Sequence, residues 1–279
     1  GVLPEFPPKP PNSPGRMNKN SRNPFDLTGS RLWIVGGAGY LGQSVVKLAA
    51  RLGACVLCAD LPGKARDFVT EAGLGANVSA ADFDITDTEA SADWGTRQIE
   101  SHGRPHGVAV LTYASTAKRL AELTADEFDR VNHGNLTATF VFAREVAGRM
   151  AGDGGGSIVL FSSMYGTVSP DPDIYEPPMQ TNPVEYGVNK AGIQQMARYF
   201  AMHFGRQNVR CNAVSPGPFP NPDIQRSNPA FIERLSKKVP LGRIGQADEI
   251  AGAVAFLLSD ASSYVNGANL PVDGGWTAW

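Results

Sequence analysis

The chain has 279 residues, of which 42% are hydrophobic and 19% charged, and this is the composition of a soluble globule with a real core. Its formal net charge of -2 gives no reason to expect a nucleic-acid or membrane partner. No apolar run is long enough for a membrane span, and three cysteines fit no disulfide framework, so we expect a cytoplasmic protein with reduced thiols.

Residues 1–24 differ in composition from the rest of the chain. They are rich in Pro, Asn, Ser and Lys and contain little apolar material. Such a segment buries too little apolar surface to offset the entropy that it would lose on ordering. We therefore expect a disordered extension over residues 1–24 and one folded domain over residues 25–279, which holds all the motifs described below.

From Phe25 onward, short apolar runs alternate with stretches whose apolar residues recur at helical spacing. Continuous apolar runs are typical of parallel strands that helices cover on both faces. The alternation predicts an α/β fold with a Rossmann-like, doubly wound parallel sheet of about seven strands in a single domain. The candidate strands are Leu32–Val35, Cys55–Ala59, Val78–Phe83, Val108–Leu111, Ser157–Phe161, Val209–Val214 and Asn269–Val272.

Cys55 and Cys58 form a Cys-x-x-Cys pair, which is a common spacing in redox and zinc sites. Both lie in one candidate strand, however, and residues three apart on a strand point to opposite faces. We therefore predict that the two thiols pack separately and that the protein has no metal site.

A glycine-rich turn follows the first candidate strand and opens a helical stretch. It consists of Gly36, Gly37, Ala38, Gly39, Tyr40, Leu41 and Gly42. Glycines allow a tight turn whose backbone N–H groups approach a pyrophosphate, and the helix N-terminus adds partial positive charge. Such a turn is a weak signal by itself, because any tight strand-to-helix connection can use glycine.

An acidic residue, Asp60, ends the second candidate strand 18 residues after Gly42. A carboxylate here can accept hydrogen bonds from the ribose of an adenine dinucleotide and would repel a 2′-phosphate. Asp60 and the adjoining Leu61 therefore indicate NAD as the cofactor. Asp84, which precedes Ile85 after the third strand, could accept from the adenine amino group, or it could cap its own loop.

Tyr186 and Lys190 are the candidate proton-transfer pair. Tyr186 is the only one of the seven tyrosines with a lysine four residues later. On a helix this spacing puts both side chains on one face, where the ammonium favours the phenolate and lowers the tyrosine pKa. The phenol could then exchange a proton with a substrate oxygen while a hydride moves to or from a nicotinamide. A partly buried helix face with an extended lysine is the alternative.

Ser162 and Ser163 end the fifth candidate strand, and ligands of open α/β sheets bind beyond the carboxyl ends of the strands. A serine there could orient a substrate carbonyl group. A nucleophilic serine would need a Gly-x-Ser-x-Gly turn and a partner histidine. The surrounding residues do not match that turn, so a hydrolase is not favoured.

Taken in order, these features resemble the short-chain dehydrogenase/reductase family, in its compact single-domain branch. The resemblance extends from Phe25 to the C-terminus. Asn212–Gly217 is similar to the family's nicotinamide-side loop, and Pro240–Arg243 and Ser262–Gly275 are similar to its closing motifs. The resemblance implies that Tyr186 is the general acid/base and that Lys190 is its electrostatic partner and a ribose contact.

The resemblance also implies two further catalytic residues. Ser163 matches the substrate-orienting serine better than Ser162 does. The family's fourth catalytic residue is an asparagine on the helix after the fourth strand, and the surrounding residues favour Asn135 over Asn132. The additional cofactor contacts implied are Ala114, Tyr186, Lys190, Pro216, Gly217 and Phe219.

Three positions depart from the family pattern. Val35 precedes the glycine turn where the family has threonine, and Thr112-Tyr113-Ala114-Ser115 replaces its Asn-Asn-Ala-Gly. In the family, that threonine contacts the strand end that carries the asparagines. We therefore interpret the change at Val35 and the change at residues 112–115 as linked. Tyr40 occupies a glycine position of the compact branch, which gives a spacing similar to that of the branch acting on nucleotide sugars.

The Pro-rich segment Ser169–Pro183, hereafter the insert, separates Ser163 from Tyr186 by a longer interval than the family usually has. Loops beyond the strand ends carry specificity, so we expect the insert to form a wall of the substrate pocket. It resembles segments of members that handle sugars, sugar acids or activated sugars. Its polar side chains, which could bind sugar hydroxyls, are Asp171, Asp173, Tyr175, Glu176 and Gln180.

These features together predict an NAD(H)-dependent oxidoreductase that interconverts an alcohol and a ketone on a polar, carbohydrate-like small molecule. A ketoacyl-thioester reductase is the first alternative, although Asp60 disfavours the NADPH that such enzymes use. A redox-silent NAD-binding scaffold is the second. The family resemblance implies a homotetramer, and we expect Trp276 and Trp279 at its interfaces, unless they fold over their own core.

Overall fold

The structure is a computed structural model, and it describes residues 23–279. The extension predicted over residues 1–24 therefore lies almost wholly outside the described residues. Within them, seven strands form one parallel sheet: β1 (Arg31–Val35), β2 (Cys55–Asp60), β3 (Val78–Asp82), β4 (Gly107–Val110), β5 (Gly156–Phe161), β6 (Val209–Pro216) and β7 (Asn269–Val272).

The strand order is β3-β2-β1-β4-β5-β6-β7, which is doubly wound. The order reverses between β1 and β4, and the carboxyl ends of these two strands form the crevice where such sheets bind ligands. The predicted fold class and all seven candidate strands are confirmed. Strand β6 runs two residues beyond its predicted end because its pairing with β7 continues to Pro216.

Helices cover both faces of the sheet and bury two apolar layers. One layer lies under α1, α2 and α9, and the other lies under α3, α5 and α6. A π-helical turn at His133–Thr137 joins α4 to α5. The helices are α1 (Tyr40–Arg51), α2 (Lys64–Glu71), α3 (Ala90–His102), α4 (Ala125–Asn132), α5 (Ala138–Ala151), α6 (Val184–Phe204), α7 (Pro222–Ser227), α8 (Pro229–Lys238) and α9 (Ala247–Leu258).

The cysteine pair behaves as the strand pattern predicts. Cys55 is exposed and Cys58 is buried, and neither forms a disulfide. Burial raises the pKa of the Cys58 thiol to about 12, which keeps it protonated and unreactive. None of the helices in residues 23–279 combines the length and hydropathy needed to cross a membrane.

A third apolar cluster joins the insert to α8 and the C-terminus. Trp276 is buried in it against Phe231 and Leu235 of α8. The expectation of an interface position is therefore wrong for Trp276, because its indole already packs on its own chain. Trp279 is exposed in this single chain, so its place at an interface stays a prediction.

Candidate active site

The glycine-rich turn lies at the carboxyl end of β1, beside the crevice. Gly36 has φ +80°, which side chains rarely permit, and a Cβ on Gly42 would collide with the Gly36 carbonyl oxygen. Gly39 is the N-cap of α1, and no side chain within the described residues caps this helix. The first N–H groups of α1 are therefore available to an anion, as the turn predicts.

Asp60 lies next to this turn, at the end of β2. One carboxylate oxygen accepts from the Ala38 N–H at 3.0 Å, and the other accepts from the Leu61 N–H at 2.9 Å. The carboxylate is thereby fixed beside the glycine-rich turn, and each oxygen keeps acceptor capacity for a further donor.

Asp84 caps its own loop, which is the alternative that the sequence left open. Its Oδ1 accepts from the Thr86 N–H at 2.9 Å and from the Thr86 hydroxyl at 2.7 Å. The Ile85 side chain is buried in the core, so only its backbone is available to a cofactor. Both residues nevertheless lie at the carboxyl end of β3, on the same sheet edge as Asp60.

The two departures in the family motifs are neighbours in space. Leu111, beside Thr112, donates its N–H to the Val35 carbonyl oxygen at 2.8 Å. The Thr112 hydroxyl is buried, and no group in residues 23–279 hydrogen-bonds to it. A valine at position 35 has no hydroxyl with which to hold the neighbouring loop, so the loop after β4 is secured by other residues.

Tyr186 and Lys190 lie on one face of α6, in its first two turns. The Lys190 Nζ lies 5.5 Å from the centre of the Tyr186 ring and donates to the Phe161 carbonyl oxygen at 2.8 Å. Lys190 is 4% exposed. Burial lowers the pKa of Lys190 to about 8, because a buried ammonium loses its hydration.

The pKa of Tyr186 moves in the opposite direction from the one expected. Burial of the phenol raises it, and the Ser163 hydroxyl opposes that rise. The lowering expected from Lys190 is not among the causes of the shift, and desolvation of the phenolate is the largest of them. The neutral phenol is therefore the favoured form in this structure.

The two serines at the end of β5 have different surroundings. Ser163 accepts from the Tyr165 N–H at 3.1 Å, and its hydroxyl opposes the rise in the Tyr186 pKa. Ser162 donates to the Lys190 carbonyl oxygen at 2.8 Å and accepts from Gln194 at 3.1 Å. Ser162 is thus engaged with the backbone side of α6, whereas Ser163 lies at the phenol.

Asn135 is buried on the π-helical turn. Its side chain makes a two-way bond with Ala114: Oδ1 accepts from the Ala114 N–H at 2.7 Å, and Nδ2 donates to the Ala114 carbonyl oxygen at 2.7 Å. Nδ2 also donates to the Val131 carbonyl oxygen at 3.1 Å. Asn132 is only partly buried at the end of α4. The geometry therefore favours Asn135 over Asn132.

Pro216, Gly217 and Phe219 follow β6 on the same edge. The Gly217 N–H donates to the Val272 carbonyl oxygen at 3.0 Å, so this loop continues the pairing of β6 with β7. Its position beside the end of β5 brings it to the side of the crevice that holds Ser163. Its contact with the nicotinamide stays a prediction.

Glu185, which precedes Tyr186, is a residue whose importance the sequence did not indicate. It is 0% exposed, and its Oε1 accepts from both the N–H of Thr116 at 3.0 Å and the Thr116 hydroxyl at 2.7 Å. The two residues are 69 positions apart, so no local pattern could have indicated the contact. Tyr113, on the same loop as Thr116, lies edge-on to Tyr186 with ring centroids 6.3 Å apart.

The insert packs against α8 and approaches Tyr186. Ile174 and Tyr175 belong to the third apolar cluster, and Tyr186 packs against that cluster. The Tyr175 hydroxyl hydrogen-bonds the Tyr165 hydroxyl at 2.7 Å, and its ring lies 5.7 Å from that of Phe231. The insert and Tyr186 therefore meet at this cluster.

Two acids of the insert bind α8. Glu176 pairs with Arg234 at 2.9 Å, and Asp171 pairs with Lys238, which holds the pKa of that carboxyl below its usual range. Arg234 also donates to the Ile174 carbonyl oxygen at 2.8 Å. The expectation that Asp171 and Glu176 bind substrate hydroxyls is therefore not supported, because both carboxylates already hold the insert on α8.

A cavity of about 760 Å³ lies against the insert. It is lined by Ser169 and Pro170, by residues 177–183, and by Val184, Gly187 and Val188 of α6. Its lining includes Tyr165 but, within the described residues, none of the four predicted catalytic side chains. The cavity is therefore bordered by the insert and by the first turns of α6, which carry Tyr186 and Lys190.

Comparison with known proteins decides the family. A family model described as enoyl-(acyl carrier protein) reductase matches residues 37–277. A 3-oxoacyl-[acyl-carrier-protein] reductase from Thermotoga maritima is 32% identical, over 89% of this chain and 98% of its own. Gluconate 5-dehydrogenase from Gluconobacter oxydans is 31% identical, over 91% and 96%. The chain belongs to the short-chain dehydrogenase/reductase family.

Solved structures of short-chain dehydrogenases agree with this membership. One from Leptospira borgpetersenii with bound NAD⁺ is 28% identical with a TM-score of 0.80, covering 94% of this chain and 99% of that one. A gluconate 5-dehydrogenase from Burkholderia cenocepacia in complex with NADP and tartrate is 25% identical with a TM-score of 0.81, covering 92% and 98%. This short-chain dehydrogenase/reductase is therefore an oxidoreductase that acts on CH–OH groups.

Proposed function

We propose that this short-chain dehydrogenase/reductase interconverts an alcohol and a ketone with NAD(H), on a polar, carbohydrate-like small molecule. The observation that carries the proposal is the Tyr186–Lys190 pair, in which the buried Lys190 ammonium lies 5.5 Å from the centre of the partly buried Tyr186 ring and the Ser163 hydroxyl favours the phenolate. The Lys190 ammonium can balance the negative charge of a Tyr186 phenolate, and the Ser163 hydroxyl can orient a substrate beside it. A structural tyrosine would need neither.

The chain's residues fit a dinucleotide. Because Gly42 has no Cβ, the turn can pass close to the Gly36 carbonyl oxygen. The first N–H groups of α1, which no side chain of the described residues caps, can donate to a pyrophosphate. Asp60 would accept from the ribose hydroxyls, and Lys190 would donate to the second ribose. Bound NAD supplies a hydride acceptor at its nicotinamide. The remaining proposed contacts are Tyr40, Leu41, Leu61, Asp84, Ile85, Ala114, Tyr186, Pro216, Gly217 and Phe219.

The catalytic residues then have separate tasks. In oxidation, Ser163 holds the substrate hydroxyl, and Tyr186, once in its phenolate form, accepts the hydroxyl proton as the carbon loses a hydride. In reduction, the same phenol donates a proton to the developing alkoxide. The Lys190 ammonium stabilises the phenolate, and Asn135 keeps the backbone at Ala114 in place beside the crevice.

NAD is favoured over NADP by charge. The Asp60 carboxylate is fixed by two backbone N–H groups, so it cannot easily turn away from a 2′-phosphate. A phosphate beside that carboxylate would be repelled. The relatives bind either cofactor, so this preference depends on Asp60 rather than on family membership.

The carbohydrate proposal is supported by relatives and by the insert. Relatives include proteins named for gluconate, and one structure contains tartrate. Tyr175, Asp173 and Gln180 remain as polar groups of the insert that are not committed to α8 by an ion pair. A ketoacyl-thioester reductase, as the Thermotoga relative is named, is the second candidate; Asp60 and the net charge of -2 argue against it.

A homotetramer in the cytoplasm completes the proposal. The outer faces of α5 and α6 expose Phe140, Val188, Tyr199 and Met202, and large exposed apolar side chains on neighbouring helices favour a partner surface. We propose no nucleic-acid or membrane partner.

The test is a substrate screen. The purified chain is mixed with NAD⁺ and separate polyols, sugar acids and 3-hydroxyacyl thioesters, and NADH absorbance is recorded. Turnover of a polyol or sugar acid supports the proposal. Turnover of thioesters alone would favour the second candidate, and NAD binding without any turnover would favour a redox-silent scaffold.

A further inference from the structure

We propose that Glu185 is a positioning residue that fixes the loop after β4, residues 112–118, to the first turn of α6 and thereby fixes Tyr186. The catalytic part of this inference rests on the proposed function. Glu185 does not line the crevice; it acts through Thr116 on one side and through its own backbone, adjacent to Tyr186, on the other.

The first turn of α6 lacks a side-chain cap, which is the usual way in which a helix start is stabilised. The helix begins at Val184 with Pro183 as its N-cap, and no side chain in residues 23–279 caps it. Proline has no side-chain acceptor for the free N–H groups of a helix start. Tyr186, which must be placed accurately, lies in this uncapped turn. The buried side chain of Glu185 ties the turn by hydrogen bonds to the loop after β4.

The loop after β4 needs the same contact. It has no regular secondary structure between Leu111 and Arg119, and Ala117 has φ +55°, a left-handed conformation that alanine rarely adopts. Strained residues persist only where their surroundings hold them. Asn135 holds the loop at Ala114, and Glu185 holds it at Thr116, directly before the strained residue.

Tyr113 shows why this contact reaches the reacting group. Its ring lies edge-on to Tyr186, and the loop that carries it is anchored at Ala114 and Thr116. If the Glu185–Thr116 contact is lost, both Tyr113 and the first turn of α6 can shift. A shift of about 1 Å at a reacting group can lower turnover about 100-fold.

A glutamine at position 185 can show whether the hydrogen bond to Thr116 or the negative charge of Glu185 is what matters. Glu185 Oε2 and Asn189 Oδ1 are both buried, and neither has a hydrogen-bond partner in the described part of the chain. They belong to residues four apart on α6, which share a helix face. Glutamine at position 185 keeps the acceptor for Thr116 and adds an N–H₂ group where Asn189 lacks a donor.

Hydrogen exchange tests the contact without needing turnover. Backbone amides of residues 112–118 are followed by mass spectrometry in the wild type and in Glu185→Leu, Glu185→Gln and Thr116→Val. We expect faster exchange in Glu185→Leu and Thr116→Val, and wild-type exchange in Glu185→Gln. Glu100→Leu, an exposed acid of α3, is the matched control and should leave this loop unchanged.

Steady-state kinetics tests the consequence for Tyr186, at a temperature where all variants are folded. We expect Glu185→Leu to lower kcat about 10- to 100-fold while substrate KM and NADH affinity stay near wild type. Glu185→Gln should restore most of kcat, since it restores the acceptor. A lesion in general folding would instead affect NADH affinity and kcat together.

Three results would overturn the inference. They are wild-type exchange in Glu185→Leu, a wild-type kcat in that variant, and a Glu185→Gln variant as impaired as Glu185→Leu, which would mean that the charge is needed. A wild-type enzyme that turns over no alcohol with NAD⁺ contradicts the proposed function instead. In that case the exchange data still decide whether Glu185 holds the loop.

Discussion

The Lys190 ammonium nitrogen lies 5.5 Å from the centre of the Tyr186 ring and donates to the Phe161 carbonyl oxygen. The end of β5 thus holds the lysine against the tyrosine on one face of α6. Because burial lowers the Lys190 pKa to about 8, the charge beside the phenol changes within the ordinary working pH range.

We predict that NADH affinity weakens as pH rises through about 8. Below that pKa Lys190 is an ammonium and attracts the anionic dinucleotide, and above it the side chain is neutral. Titration of NADH fluorescence from pH 6.5 to 9.5 measures the change. Lys190→Met should bind more weakly and show no step in this range. A wild-type affinity that is flat to pH 9.5 would contradict the Lys190 assignment.

Asp60 should set the cofactor preference. The wild type should have a higher kcat/KM with NAD⁺ than with NADP⁺, because the carboxylate repels a 2′-phosphate. Asp60→Asn removes the charge and keeps one of the two acceptors for the Ala38 and Leu61 N–H groups, so it should raise the relative efficiency with NADP⁺. Asp60→Ser combined with Leu61→Arg should raise it further. Equal efficiencies in the wild type would refute the assignment.

The insert should affect substrate rather than cofactor. Replacing residues 169–183 with a short glycine linker should raise substrate KM or abolish turnover, and NADH affinity should change only a few-fold. Arg234→Met with Lys238→Met, which frees the insert from α8, should raise KM more mildly. Lys237→Met, which removes only an exposed pair with Glu233, is the control. Unchanged kcat/KM without the insert would remove it from the pocket.

Local patterns predicted the sheet, the glycine turn and the Tyr186–Lys190 face. Each of these depends on spacing within a few residues, which the chain order itself displays. Asn135 could be preferred over Asn132 only through the family resemblance, since the bond to Ala114 spans 21 positions.

Contacts between distant segments could not be predicted from the sequence. Glu176 of the insert forms a salt bridge with Arg234 of α8, and Glu185 accepts a hydrogen bond from Thr116, 69 positions away in the chain. Without knowledge of its partner, an acidic residue in a loop is expected to be solvated and free to bind substrate. For the same reason the raised pKa of Tyr186 was missed, because desolvation depends on what packs around the ring.

The assembly is testable by mass. Light scattering at micromolar concentration should give four times the mass of the 29.6 kDa chain. Met202→Glu puts a charge on the exposed apolar face of α6 and should lower the measured mass, whereas Thr70→Glu on the outer face of α2 should not. A monomeric wild type would contradict the tetramer.

The central claim is that Tyr186 transfers the proton, and Tyr186→Phe tests it most directly. The substitution removes one oxygen and keeps the ring, so NADH affinity should remain near wild type. The measurement is kcat on the best alcohol from the NAD⁺ screen, with NADH binding recorded on the same samples. We predict a fall of about 10²- to 10⁴-fold in kcat. Retention of more than about a hundredth of the wild-type kcat would contradict the account.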